Sequence, residues 1–253
     1  MKNLFPLIAV IAFISCSQPE TPVEEASIPE TETSEVEMAE ETPTAGLLTG
    51  LSEYVDSFEG AIDTVISKER KELLKEVAAF VDEKNSSEEA ANLIFICTHN
   101  SRRSHMSQLW AQTAAYHYGF EDVHCYSGGT EATAFNPRAV KALKKAGFNI
   151  DQTDMSTNPR YKVSYSKDAE PVMAFSKKYD DDFNPQEDFA AVMTCSQADE
   201  ACPLVKGASA RVAIPYVDPK EADDTPEEEA RYDERCRQIA MEMFYLFSQV
   251  GKG

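Results

Sequence analysis

The chain has 253 residues, 42% of them hydrophobic, enough for one domain with a core and an added segment. Its formal net charge of -20 excludes a nucleic-acid partner, whose phosphates it would repel. Much of that charge lies off the expected fold, because residues 17–45 hold nine Glu and no Lys or Arg.

Residues 1–16, "MKNLFPLIAVIAFISC", place Lys2 before an apolar run from Leu4 to Ile14, and then Ser15-Cys16. The run is too short to span a bilayer comfortably and reads as an export signal. "FISC" resembles the cleavage box of bacterial lipoproteins. That resemblance implies acylation of Cys16 and a lipid anchor in a membrane that the chain does not cross, on the periplasmic or cell-surface side. The alternative is an ordinary signal peptide in which Cys16 is incidental. Residues 17–45 have low complexity and little core-forming material, so the expectation is a disordered acidic tether.

Residues 46–90 read as a helical extension. "SKERKELLKEVAAFVDEK" sets Leu73, Leu74, Val77, Phe80 and Val81 on one face, with Ser67 able to cap the start. From residue 91 to 253 strands and helices alternate. "LIFIC" is a continuous apolar run, as a central parallel strand requires. "HMSQLWAQTAAYHYG" follows as a helix, and "DVHCYSGG" as a strand. "NPRAVKALKKAG" is a helix with Asn136 as cap, Pro137 in its first turn and Gly147 at its stop. "FAAVMTC" and "ARVAIPYVDP" are two more strands, and a long closing helix begins at Thr225 and Pro226. Before the strand at 189, the alternation in "RYKVSYSKDAEPVMAFSKKYD" predicts an inserted hairpin. The expected fold is α/β: a doubly wound four-stranded parallel sheet with helices on both faces, the N-terminal helical extension and the inserted hairpin.

In such a sheet, ligands bind beyond the carboxyl ends of the strands. "CTHNSRRS", residues 97–104, lies there between the first strand and its helix. A tight loop entering a helix turns consecutive N–H groups inward, and these attract an oxyanion together with the helix dipole. Arg103 can add a bidentate clamp of fixed charge. The same field favours a nucleophilic thiolate at Cys97, to which Ser104 can donate a hydrogen bond. Asn100 tolerates the left-handed backbone that such a loop needs. The pattern points to a nucleophile aimed at a bound tetrahedral oxyanion. The alternative is a buried structural cysteine beside solvated arginines.

"FICTHNSRRSHMSQLW" and "YSGGTEATAFNPRAVKALKKAGFNI" resemble the low-molecular-weight protein tyrosine phosphatases and their relatives, the thiol-dependent arsenate reductases, over about residues 92–250. The resemblance implies Cys97 as nucleophile and Arg103 as oxyanion clamp. It also implies a binding loop of Thr98, His99, Asn100, Ser101, Arg102 and Ser104. His99 stands where many members have Gly. Arg102 stands where others have Cys or Gly; it either tightens anion binding or points to solvent.

"TCSQADEACP" sets Cys195 at a strand end and Cys202 seven residues later, a spacing unlike zinc or thioredoxin sites. His99, His105, His117 and His124 form no metal constellation with these cysteines. Across seven helical residues the Cα atoms would lie about 10 Å apart. A disulfide needs roughly 4.4–6.8 Å, so joining them would require the segment to unwind. The alternatives are a static disulfide or two buried thiols. Thioredoxin-coupled arsenate reductases carry a similar segment, and that resemblance implies a Cys97, Cys195, Cys202 disulfide relay. Cys125 reads as core, and Cys236 as a surface or packing residue. Asp218, between a strand and Pro219, is by resemblance the acid that protonates the departing oxygen. Phosphatases of this type follow the Asp-Pro with aromatics that line a phosphotyrosine slot, whereas here Lys220 and Glu221 follow.

The expected activity is therefore reduction of arsenate to arsenite; the alternative is hydrolysis of phosphoesters through a cysteinyl-phosphate at Cys97. No bound cofactor or metal is implied. The expected partners are a small oxyanion (arsenate or phosphate) or a phosphoprotein, and an external thioredoxin-like dithiol reductant. Export would require that reductant on the same side of the membrane.

Overall fold

The computed structural model describes residues 46–252. The signal segment with Cys16 and the acidic tether lie outside the described residues.

The extension, read from sequence as one helical stretch, is three helices: α1 (Thr49–Glu59), α2 (Ile62–Val65) and α3 (Lys68–Ser86). Gly60 caps α1, and Ser67 caps α3 by accepting from the Arg70 N–H. Leu74, Val77, Phe80 and Val81 are buried as the helical spacing requires, joined by Leu51, Val55 and Phe58 of α1. Full burial of such side chains is worth about 1.5–3 kcal/mol each. They share one core with Trp110 and Phe244 of the sheet-covering helices, so the extension is part of the fold's main hydrophobic core.

Next come β1 (Ala91–Cys97), α4 (Arg103–His117), β2 (Val123–Gly129), α5 (Pro137–Lys145), β3 (Asn149–Gln152), β4 (Tyr161–Ser164) and β5 (Val172–Ala174). They are followed by β6 (Phe189–Met193), α6 (Ser196–Ala201), β7 (Ala208–Ala213) and α7 (Glu228–Gln249). β1, β2, β6 and β7 form a parallel sheet in the order β2-β1-β6-β7. The apolar run of β1 is central, with Leu93 and Phe95 facing one core and Ile94 and Ile96 facing another. Helices cover both faces unequally. The long α4 and α7, with α3, pack on the Leu93 and Phe95 side, while the six-residue α6 lies on the other.

Three details differ from the sequence reading. The inserted hairpin is real as β4 and β5, but β3 pairs with β4, making a separate three-stranded antiparallel sheet. β3 has only Ile150 buried, so its pattern carries almost no strand signal. The closing helix starts at Glu228 rather than at Thr225, because Asp224 takes a left-handed φ of 63° and residues 222–225 form a turn held by Thr225 Oγ1 donating to the Ala222 carbonyl. The last parallel strand stops at Ala213. Beyond it the chain stays extended, and single N–H bonds tie Ile214 to the Met193 carbonyl and Tyr216 to that of Thr194. This continuation brings Asp218 to the carboxyl edge of the sheet.

Candidate active site

Cys97 ends β1 and is 3% exposed. The loop that follows turns through Asn100, whose φ of 43° is left-handed. Asn100 is fully buried and joins three parts of the site. Its Oδ1 accepts from the Lys177 N–H at 2.9 Å, which fixes the amide orientation, and its Nδ2 donates to Ser104 Oγ at 2.9 Å. The Ser104 hydroxyl thus receives one hydrogen bond and has its own proton free for Cys97 Sγ, 3.1 Å away. The sequence assigned Ser104 and Asn100 to this loop. It gave no sign of Lys177, which arrives from the segment after β5.

Other loop carbonyls are tied to the β2 side. Thr98 O accepts from the Glu131 N–H and Thr130 Oγ1, and His99 O from Thr133 Oγ1 and Ser176 Oγ. Ser101 Oγ donates to the Ala134 carbonyl at 2.7 Å. These bonds turn the Thr98 and His99 carbonyls outward and fix the loop from outside. The His99 side chain is half exposed, with Nε2 3.7 Å from the Glu131 carboxylate. Gly129 makes the packing possible, since a Cβ there would fall 2.7 Å from Asn100 N and 2.8 Å from Thr98 O. The paired glycines at the end of β2 were the available sequence signal for this close approach.

Arg103 opens α4 and is 7% exposed. Its Nη1 donates to the Tyr216 carbonyl at 3.0 Å and its Nη2 to Asp218 Oδ2 at 2.7 Å, while Nε is buried with no partner among the described residues. The structure thus unites the cysteine loop, the clamp and the acid named from sequence. Asp218 also caps the short 3-10 turn Pro219–Ala222, accepting from the Lys220 N–H at 3.1 Å.

Arg102 takes neither of the two roles considered for it. Its Nε donates to Tyr232 Oη at 2.7 Å and its Nη2 lies 3.2 Å from Asp223 Oδ2, so the side chain is tied to the segment after Asp218. Tyr232 Oη in turn donates to Asp223 Oδ1, and Arg138 pairs with Asp223, Asp224 and Glu228. Through Nε and Nη2 Arg102 thus ties the loop to the segment that follows Asp218.

Cys195 is fully buried at the start of α6, where its sulfur accepts from the Ala198 N–H at 3.3 Å. Thr98 Oγ1, on the residue after Cys97, lies 3.5 Å from that sulfur. Cys202 is partly exposed at the other end of α6. All five cysteines among the described residues are free thiols, so Cys195 and Cys202 appear here with the helix intact between them. Cys125 is core as expected, and burial holds its thiol far above the ordinary range. Cys236 is likewise buried, with burial pushing its thiol up to about 12, and it accepts from Trp110 Nε1, which settles its role as packing. His105 lies fully buried under the loop, stacked on Phe135; burial, and then the charge of Lys177, holds its imidazole well below the usual range. No cluster of three His, Cys, Asp or Glu suited to a metal occurs among the described residues.

Residues 92–213 match the family model described as low molecular weight phosphotyrosine protein phosphatase. The arsenate reductase of Bacillus licheniformis is 29% identical over 161 residues, covering 63% of this chain and 96% of that protein. The arsenate reductase of Halalkalibacterium halodurans is 28% identical over 160 residues, with the same coverage of 63% and 96%. The crystal structure of a low molecular weight protein tyrosine phosphatase from T. tengcongensis aligns at a TM-score of 0.43 and 15% identity, covering 63% of this chain and 99% of that one. The chain is an enzyme, and the proteins it matches are named arsenate reductases and phosphatases.

Proposed function

We propose that this enzyme reduces arsenate to arsenite with Cys97 as nucleophile and Cys195 and Cys202 as a relay. The observation that carries the reading is a second thiol at the reactive loop: Cys195 Sγ sits 3.5 Å from the hydroxyl of Thr98, next in sequence to Cys97. Phosphoester hydrolysis has no use for it. The arsenate reductases matched above support the same choice.

Arsenate enters the loop, where main-chain N–H groups and Arg103 neutralise its charge. The Cys97 thiolate attacks arsenic, and Asp218 assists departure of one oxygen as water. The Cys195 thiol then attacks the Cys97 sulfur. The S–As bond breaks, its electron pair stays on arsenic, and arsenite leaves. In total one arsenate and two thiols become one arsenite, one water and a Cys97–Cys195 disulfide. Cys202 attacks Cys195 in that bond, forming Cys195–Cys202 and returning Cys97 as thiolate. An external dithiol of the thioredoxin type reduces the last disulfide.

Phosphoester hydrolysis through a cysteinyl-phosphate is the second reading. It is favoured by the site itself, because Cys97, Arg103 and Asp218 suffice for it. Purified protein supplied with arsenate, thioredoxin and its reductase, run beside a phosphotyrosine analogue, tests both. Cys195→Ser should stop multiple arsenate turnovers while sparing any phosphoester hydrolysis. Sustained turnover in that variant would exclude the relay.

A further inference from the structure

The helix between the two relay thiols is weakly anchored by packing. α6 spans six residues and buries only Ala198. One side chain from another element compensates. Arg211, on the edge strand β7, donates from Nε to the Cys202 carbonyl at 3.1 Å and from Nη2 to the Asp199 carbonyl at 2.9 Å. The same Nη2 also reaches Asp199 Oδ1 in a short ion pair. Arg211 pairs in register with Ala191, on the sheet face that α6 covers. Its apolar neighbours on that face include Ala191, Met193 and Ala213. A guanidinium there is matched to the C-terminal half of α6 and to nothing else: all of its hydrogen bonds go to Asp199 and Cys202.

These bonds exist only while α6 is helical. A helix rises about 1.5 Å per residue, so Cys195 and Cys202 stand about 10 Å apart, and a disulfide requires roughly 4.4–6.8 Å. Closing the bond must displace the Cys202 carbonyl, the Asp199 carbonyl, or both. We infer that Arg211 is a positioning residue that latches α6 in its dithiol form and so sets the reduction potential of the Cys195/Cys202 couple. The inference rests on the relay reading given above. By favouring the dithiol, the latch makes the closed disulfide easier for an external dithiol to reduce. The exchange it governs is balanced: the Cys202 thiolate attacks Cys195, the Cys97–Cys195 bond breaks, Cys195–Cys202 forms, and Cys97 leaves as thiolate to take up the proton that Cys202 lost.

The test uses the full chain carrying Cys97→Ser, equilibrated in buffers of graded reduced and oxidised dithiothreitol, then quenched with an alkylating agent and read by mass spectrometry. Arg211→Met should raise the disulfide-to-dithiol ratio at a fixed buffer at least tenfold, a potential about 30 mV lower. Asp199→Asn should raise it severalfold, and Arg211→Lys, which keeps the charge without the fork, should fall between. In the dithiol form, amide hydrogens of residues 196–202 should exchange at least tenfold faster in Arg211→Met, with no difference after oxidation. If Arg211→Met does not fold, Asp199→Asn and Arg211→Lys carry the comparison. Ratios within twofold of the parent in the folded variants would overturn the latch and leave the relay standing. No Cys195–Cys202 disulfide in the parent at any buffer ratio would overturn the relay and the latch together.

Discussion

Replacing Asn100 by Ala tests the support of the reactive loop most directly. Three terms follow from the structure. A φ of 43° costs an ordinary L-residue about 1–2 kcal/mol that Asn largely avoids. The Lys177 N–H, buried, loses its acceptor at about 1–3 kcal/mol, and the bond to Ser104 Oγ is worth about 0.5–1.5 kcal/mol. Asn100→Ala should therefore lose about 3–5 kcal/mol in urea unfolding. Asn100→Gly removes the backbone strain, keeps both hydrogen-bond losses and adds unfolded-chain entropy, so it should be more stable than Ala by only about 0.5–1 kcal/mol. Both variants free the Ser104 hydroxyl to turn from Cys97 Sγ. A hydrogen bond to a charged sulfur is worth about 1.5–3 kcal/mol, so kcat/KM should fall roughly 10- to 100-fold, for arsenate reduction and for a phosphotyrosine analogue alike. Asn100→Ala within 1 kcal/mol of the parent, or retaining a third of its kcat/KM, would refute the assignment of Asn100 as the loop's organiser.

Asp218→Asn removes the proposed acid but leaves an amide oxygen that Arg103 can still use. Its kcat should fall about 10²- to 10⁴-fold with KM unchanged or lower; an equal rise in KM would assign Asp218 to binding instead. Lys177→Met tests a buried cation. Lys177 is 2% exposed, and burial lowers its amine from 10.5 to about 8, with Asp181 opposing and Arg160 acting the same way as burial. The unfolded chain then binds more protons between about pH 8 and 10.5, so this group adds stability as pH rises through that window and costs most below it. The shift corresponds to about 3 kcal/mol at pH 7, less whatever the faces of Phe175 and Phe183 return, at 4.6 and 5.2 Å from the amine. Lys177→Met should be more stable than the parent by about 1–3 kcal/mol at pH 7. That advantage should shrink by about 2 kcal/mol by pH 9.5. A difference that does not vary with pH would refute the buried charge.

What could be read from the chain follows the range of the interactions. Cys97, Asn100, Arg103 and Ser104 stand within eight residues, and their chemistry needs only a strand, a turn and a helix start, each with a local signal. Cys195 and Asp218 were legible because strand ends converge on one edge of a parallel sheet. The Lys177 main chain, 77 residues from Asn100, and Asp223, 121 from Arg102, carry no signal of their own. Arg102 illustrates the limit. Its place in the loop suggests an anion ligand, and only the fold shows that Tyr232 and Asp223 take its Nε and Nη2 donors. β3 failed for a different reason, since one buried residue in four leaves no periodicity to detect.

The extension, silent as to chemistry in the sequence, reaches the site through one residue. Arg70 of α3 pairs with the buried Glu242, and its Nη1 and Nη2 donate to the Pro215 and Ile214 carbonyls. Its guanidinium lies 4.6 Å from the centre of the Tyr216 ring. The carbonyl of that tyrosine accepts from Arg103, and two residues on Asp218 takes the other arm of the same clamp. Arg70 therefore holds the stretch that contacts Arg103 and carries Asp218, and Arg102 and Arg138 hold its far end through Asp223. The segment is thus tied at both ends, at Ile214 and Pro215 by Arg70 and at Asp223 by Arg102 and Arg138. Between those ends Arg103 keeps a buried Nε without a partner among the described residues, so under the proposed mechanism it has a donor to offer an oxyanion while it still holds Asp218.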